Sequence, residues 1–569
     1  MNLALLSNPY DEQGFRTCSV TGLNVHRSAE RPTKLFVLSA VLSMVLGGIA
    51  ALFVALTRWE AVGVLSAPAF YKWLSIHAWS LLIFWMVFME IGILYVGGPM
   101  VLGRRLPVPH LAKAGWGLMV GSAGLILYSI WISTPPNYQP LLTSYAPLKS
   151  HPLFYVGAIL FILGTIVAAL PFFVAIWQEK STHPHKTLPL VTFGAFMTSI
   201  IALESLIGGL ITYVPTFFWR IGWVEHIDAA WYRQMYWTIG HGTQQINLVA
   251  MITIWYFMTY VAGGAEVVSE KVSRTAFILY VFFINMGAAH HLLSDPAVSS
   301  QWRMWNCSYA TYGAVLASLI HAFALPAGLE VGRRKKGLGD GWFGWLKSAP
   351  WSDPGFSATA FSIILFGFLG GTTGVLMGQM QLNTLRHNTL AVPGHFHGTV
   401  AVGTTLAFMG FLFYGIKLLF RRDWIAKGLA RAQPFFYAGA MSIAVMAMMS
   451  VGIVYGLPRR HPSTTSIPGT DFSFAAASPL LAAMGIMAIL AILAGAAFVI
   501  VAVGSLLFGE ELSPADMLPN YSTLPETDQP THAISMRGTA ALTGFFLLVL
   551  GALYGLDWMW LAHLWEFGL

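Results

Sequence analysis

Two imidazoles stand almost side by side in the stretch His387-Asn388-Thr389-Leu390-Ala391-Val392-Pro393-Gly394-His395-Phe396-His397. It opens an apolar run, Gly398 to Phe420, long enough for a membrane helix. Pro393 and Gly394 suit the first turn of that helix. Residues two apart on a helix point about 200° apart, so His395 and His397 offer an imidazole to each of two opposite sides. That arrangement suits two large planar cofactors flanking one helix, and histidine is a preferred axial ligand of haem iron. The plainer alternative is a pair of interfacial histidines without a metal. The elements that carry the remaining imidazoles decide between the two.

Those elements are membrane helices. Of 569 residues, 56% are hydrophobic and only 10% charged, and the mean hydropathy is +0.65, far from a soluble protein of this size. The fold expected is all-α and polytopic. Thirteen apolar stretches are long enough to cross a bilayer, near 34–57, 70–102, 112–132, 153–177, 188–218, 230–262, 273–294, 308–330, 357–384, 394–420, 434–457, 474–508 and 535–565. No change of composition marks a second domain, so the expectation is an N-terminal arm, 1–33, followed by one membrane domain, 34–569. Basic residues cluster in the arm and after the even-numbered spans, for example Arg333 to Lys336 and Arg421/Arg422. By the positive-inside rule the N-terminus is cytoplasmic. The acidic loop after span twelve (Glu510, Glu511, Asp516) weakens this bias without reversing it. The net charge of +7 is spread over short loops, which reports topology rather than nucleic-acid binding. The two cysteines, Cys18 and Cys307, form neither a disulfide framework nor a thiolate metal site. The arm has no apolar core of the kind a cleaved signal peptide needs.

Seven of the seventeen histidines lie well inside spans: His77, His241, His290, His291, His321, His395 and His397. His77, His241 and the His395/His397 pair fall early in even spans, and His290/His291 late in an odd one. All six therefore share the outer half of the membrane, with His321 near mid-span. Ionisable groups inside a membrane are costly and functional by default. Counting ligands, His395 and His397 each serve one haem, and His77 can complete a six-coordinate, electron-transferring haem. His241, His290 and His291 remain, and three neutral imidazoles suit copper, zinc or iron. A five-coordinate haem beside such a metal leaves room between the two for a small diatomic molecule.

This pattern resembles the catalytic subunit of the haem–copper oxidase superfamily, especially its B-type branch. The resemblance rests on His77, His241, His290-His291, the HNT-x-x-VPGHFH of 387–397, the Ser318 to Glu330 stretch and Pro458-Arg459-Arg460, and it covers roughly 70–460. It implies that His77 and His397 ligate a low-spin haem and His395 a high-spin haem. It further implies that His241, His290 and His291 hold copper, and that Arg459 and Arg460 pair with haem propionates, which a planar guanidinium fits well. Read without the resemblance, the arginine pair is a topological anchor.

Two departures from the family stand out. Oxygen-reducing relatives carry a tyrosine four residues after the first copper histidine, where this chain has Gln245. Another branch places its tyrosine six residues before the histidine pair, where this chain has Ile284. Tyr280 lies ten residues before His290, about 15 Å along a helix and so too far, while Tyr236 is the one nearby phenol left open. Dioxygen reduction takes four electrons, the last usually from the tyrosine. Coupling two nitric oxide molecules takes two, one from each metal. In cytochrome c-dependent nitric oxide reductases a glutamate at the Gln245 position binds a non-haem iron. A neutral amide favours copper over iron, and Gln245 either hydrogen-bonds a bound nitrogen oxide or orients His241. The expectation is therefore a nitric oxide reductase, with a B-type terminal oxygen reductase, a cytochrome c or quinol oxidase, as the alternative. A haem-bearing gas sensor or transporter ranks third.

The second departure is Asn383, where B-type relatives carry an aspartate near the propionates, while His387 is kept. The expectation is weak proton pumping. A partial proton path is expected through Tyr256, Ser318 and His321, with Ile252 in place of a further path tyrosine. Glu90 and Glu204 are read either as relays or as buried neutral carboxyls. No thiolate copper motif occurs in the chain, so a smaller subunit through which electrons enter is expected, carrying a dinuclear copper, a haem c or a quinol site. The location expected is a bacterial or archaeal cytoplasmic (inner) membrane, with lipid as surroundings, a gas as substrate and no nucleic acid.

Overall fold

A computed structural model describes residues 10–59, 61–134, 145–296, 298–464, 466–467, 470–512 and 535–566. Residues 1–9 of the expected arm, Asp516 and the side chain of Ile284 lie outside the described set. Among the described residues the elements are helices, apart from a small antiparallel hairpin, Phe15–Thr17 with Asn24–His26, and three isolated bridges. That hairpin leads directly into the first helix.

The long helices are numbered here α1 Arg27–Arg58, α2 Ala67–Met100, α3 Pro109–Ile132, α4 Pro152–Thr182, α5 Leu190–Arg220 and α6 Ala229–Gly263. They continue as α7 Glu270–Met286, α8 Ser300–Lys335, α9 Pro354–Met377, α10 Ala391–Phe420, α11 Lys427–Val454, α12 Ala475–Phe508 and α13 Arg537–Leu564. Among the described residues, twelve are long and apolar enough to cross a membrane. The span expected at 273–294 differs: α7 has 17 residues and gives way to a 3-10 turn, Ala288–Leu292, that carries His290 and His291. The count of thirteen spans thus rests on a short helix plus an irregular turn. The first helix also starts earlier than expected, at Arg27, with His26 Nδ1 capping the Ser28 N–H.

Burial separates centre from periphery. In the most apolar stretch of α2, α6 and α10, 83%, 89% and 89% of residues are enclosed, against 6% for α13. The three enclosed helices carry His77, His241 and His395/His397, so each imidazole projects into protein rather than lipid. Close packing there depends on glycine in places. A Cβ on Gly242 would stand 2.1 Å from Ser205 Oγ, so α5 and α6 touch through a missing side chain.

The helices around the histidines are not regular. Wider π turns occupy Trp79–Trp85 just after His77, His397–Thr404, Phe366–Gly371 and Asn306–Ala310. Such turns collect at functional sites because they re-aim side chains at the cost of regular i→i+4 bonds.

Candidate metal and cofactor centre

The described residues form two imidazole groups. In the first, His77 and His397 face each other with ring centres 6.1 Å apart and planes 12° from parallel. His77 Nδ1–H donates to Gly47 O of α1 at 3.2 Å, and His397 Nδ1–H to Pro393 O at 2.7 Å. A donating Nδ1 leaves Nε2 unprotonated and free to ligate. Two metal–nitrogen bonds of about 2 Å, plus about 1.1 Å from each nitrogen to its ring centre, sum to about 6.2 Å across a shared ion. The observed spacing therefore fits a metal held between the two rings.

The second group comprises His241, His290 and His291, one nitrogen of each lying within 4.8 Å of the others. His241 Nδ1 is 3.0 Å from His291 Nε2, inside the roughly 3–4 Å range required of nitrogens bound about 2 Å from one ion. His290 Nδ1–H donates to Gly287 O at 2.5 Å, again freeing Nε2. Trp237, one turn before His241, stacks on His291 with centres 3.7 Å apart and planes 4° from parallel. Gln245 Nε2 lies 2.5 Å from His241 Nε2, and its Oε1 is buried without a partner. Amide ends are alike in shape. Turned by half, Oε1 accepts an Nε2–H from His241, the tautomer that leaves Nδ1 to the cluster.

A cavity of about 250 Å³ lies between this cluster and His395. Thr373 Oγ1 donates to Leu369 O at 2.5 Å and lies 2.9 Å from His395 Nδ1, so it accepts from that ring and leaves Nε2 unprotonated. One cavity wall is glycine: Gly367, Gly370, Gly371 and Gly374. A Cβ on Gly374 would come within 3.1 Å of His395 Cε1. His395 lines this cavity while His397 faces His77, so the helix does present its two imidazoles to opposite sides.

The cavity roof is cationic. Arg233, Arg459, His387, Asn383 and Tyr145 line it. Arg233 pairs with Asp295 through two bonds of 2.6 and 3.0 Å. The guanidinium groups of Arg233 and Arg460 lie 4.7 and 5.7 Å from the Tyr145 ring. Burial, then the neighbouring Arg460, push the Arg459 guanidinium down to about 10, still charged at neutral pH. Arg459 Nε, Tyr145 Oη and Asn383 Oδ1 are buried without partners, although Asn383 Nδ2 donates to Met377 O. Unpaired donors under a cationic roof, free imidazole nitrogens in the middle and a glycine wall fit a flat iron-bearing ring with carboxylate substituents.

On the opposite side of the cavity, Tyr256 Oη donates to Ser273 Oγ at 2.9 Å and lies 3.0 Å from His321 Nδ1. Tyr280 stacks on His321, shares a 2.7 Å hydrogen bond with Ser318 and lines the cavity together with Ser318. Tyr280 and His290, ten residues apart, both line this cavity. Tyr236 instead packs on Tyr145, Trp237 and Tyr232. Glu90 is buried and takes a 2.6 Å bond from Asn247 once that amide is oriented to suit its neighbours, while Glu204 sits on an exposed face of α5. Thr373, Trp237, Tyr145, Arg233 and Asp295 were not anticipated. An Arg…Asp pair 62 residues apart carries no local sequence signal.

Together the fold and the site define a polytopic helical membrane protein built to hold haem and a histidine-bound metal. The family described as Cytochrome C and Quinol oxidase polypeptide I matches residues 31–494. The chain belongs to this family, the haem–copper oxidase subunit I, whose members bind a low-spin haem, a high-spin haem and copper. It is 34% identical to "Cytochrome c oxidase subunit 1" of Thermus thermophilus over 280 residues, 48% of each chain. It is 24% identical to "Probable quinol oxidase subunit 1" of Staphylococcus aureus over 452 residues, 75% of this chain and 63% of that one. The matches thus span between about half and just under two-thirds of these relatives' lengths. A heme-copper terminal oxidase dimer solved by cryo-EM shares the fold, with TM-score 0.78, 24% identity and coverage of 94% of this chain and 92% of that one.

Proposed function

We propose that this chain is the catalytic subunit of a membrane nitric oxide reductase, 2 NO + 2 e⁻ + 2 H⁺ → N₂O + H₂O. The observation that carries the reading is the Gln245 amide, 2.5 Å from His241 Nε2, at the position where oxygen-reducing relatives carry a phenol. An amide supplies neither an electron nor, at neutral pH, a proton. In this reading His77 and His397 hold the low-spin haem, His395 the high-spin haem, and His241, His290 and His291 a copper. When bound, the haem iron and the copper would each supply one electron to the substrate.

The chain's own residues do the rest. Gly47 O and Pro393 O hold the His77 and His397 rings, and Thr373 holds His395. Gln245 sets the His241 tautomer, and Trp237 fixes the plane of His291. Arg459 and Arg460, with His387 and Asn383 beside them, receive the propionates. Protons come by way of Tyr256 and His321, then Tyr280 and Ser318, with a rotation of the Tyr280 phenol or a bridging water joining the two halves. With Asn383 in place of a carboxylate, proton ejection during turnover is weak. Electrons arrive from a smaller subunit bearing a dinuclear copper, a haem c or a quinol site. Residues 34–569 act as one domain in a bacterial or archaeal cytoplasmic membrane, with the arm 1–33 inside.

A second reading, a B-type oxygen reductase, is favoured by the names of the relatives and by the cavity-lining phenol of Tyr280. Giving the purified complex nitric oxide and then dioxygen, with N₂O quantified, separates the two. One N₂O per two NO with slow O₂ uptake supports the first reading. Fast O₂ uptake with nitric oxide left untouched supports the second.

A further inference from the structure

α13 lies on the outside of the bundle, yet two of its side chains reach the His395 cavity. Only 6% of its most apolar stretch is enclosed, against 89% for α6 and α10, which line the same cavity. Phe546 and Leu550, one turn apart, form part of the cavity wall and are themselves only half-buried. Phe545, Leu547 and Leu548 beside them are exposed. On that side the wall is a single layer of side chains. It meets α9 at Phe368, whose ring centre is 5.2 Å from that of Phe546, and at Gly367, where an added Cβ would stand 3.5 Å from the Phe546 ring.

What holds α13 is polar and sits toward its two ends. At the N-terminal end the fully buried Glu330 of α8 accepts Gly538 N–H at 3.2 Å, Thr539 N–H at 2.7 Å and Thr539 Oγ1–H at 2.8 Å, and Arg334 balances its charge at 2.7 Å. Gly538 suits this close approach, since a Cβ there would stand 2.1 Å from Trp342 O. Toward the other end Asp557 pairs with Arg386, the last residue of the short helix Met380–Arg386. Tyr554, one turn earlier, bonds to Tyr312 of α8. Leu561 packs there with Leu376 and Leu382 in a small core of its own. Apolar faces gain little by leaving lipid for protein, because acyl chains are as apolar as leucine. The polar ends therefore carry much of the docking.

We propose that α13 closes the His395 cavity from the side after haem insertion. α13 follows the other long helices in chain order. Until its ends latch on Glu330 and Arg386, α8 and α9 leave the cavity edge open to lipid. A flat, largely apolar ring whose carboxylates end under the cationic roof can pass that edge sideways. Docking then sets Phe546 and Leu550 across it.

This inference rests on His395 as the high-spin haem ligand and not on which gas is reduced, and the test separates the two. In the full purified complex, Glu330→Gln, Asp557→Asn and the double variant are compared with the parent for haem transfer to excess apomyoglobin. The CO-binding haem and the bis-imidazole haem are followed separately by their spectra. The double variant should give up its CO-binding haem at least about tenfold faster than the parent, and each single variant less so, because breaking a buried polar attachment favours local opening. The bis-imidazole haem should transfer at the parent's rate in all three. Leu548→Ala, on the lipid side of the same helix, should match the parent throughout. Where the double variant does not accumulate, the two single variants carry the comparison. Parent-like release of the CO-binding haem, or release of both haems together, overturns the side closure. A parent complex with no CO-binding haem overturns the haem assignment instead.

Discussion

The two imidazole groups differ in what surrounds them more than in what they are made of. Around His77 and His397 the rings are near parallel, and each Nδ1 is tied to a main-chain carbonyl. Carbonyls on helices cannot swing away, so that site is stiff. Around His241, His290 and His291 the rings are tilted 31–89° to one another, only His290 is tied to a main-chain carbonyl while Gln245 and Trp237 hold the other two rings, and a cavity opens toward His395. A stiff site whose two imidazoles would hold a haem from both faces suits electron transfer, which needs little rearrangement. An open site with adjustable neighbours suits chemistry on a bound gas.

The comparison breaks most visibly by removing one imidazole from each group. His397→Ala should abolish one haem's low-spin spectrum and leave copper in place; His241→Ala should abolish copper and leave both haems. Each should cut turnover by more than about 100-fold, as loss of a metal ligand disables the centre it served. Haem and copper assays on the same preparations check the selectivity, and loss of both metals from either variant would merge the two sites into one. Gln245→Leu comes next, with N₂O formation falling about 10- to 100-fold, the usual cost of losing a ligand's hydrogen-bonding partner. Gln245→Tyr should show a similar loss, accompanied by faster O₂ uptake on an oxygen electrode. Tyr280→Phe should slow proton uptake in stopped-flow by less than the about 100-fold of a lost general acid, since the phenol serves as a relay. The smallest effect belongs to Trp237→Phe: a smaller stack on His291 should raise the copper lost on dialysis a few-fold, with haem content unchanged.

Much of this was legible from residue types alone. A strongly apolar composition and repeated long hydrophobic runs dictate a helical membrane bundle, and histidines are rare enough in apolar stretches that they point to a candidate site. The H-x-H spacing placed His395 and His397 on opposite sides, and the arrangement agrees. What eluded sequence reasoning has a common cause. Gly47 O and Pro393 O act through main-chain atoms that every residue owns. Thr373, Trp237 and the Arg233–Asp295 pair act across helices, where spacing along the chain says nothing. The span at 273–294 differs because α7 gives way to a 3-10 turn before His290, a break that residue types do not announce.

Carbon monoxide tests the division of labour most directly, because it binds reduced haem iron only where an axial position is free. In the fully reduced complex, with haem and copper counted, the account predicts two haems and one copper per chain, with CO shifting the spectrum of one haem only. CO binding by both haems, or a preparation that turns over nitric oxide without copper, would contradict it.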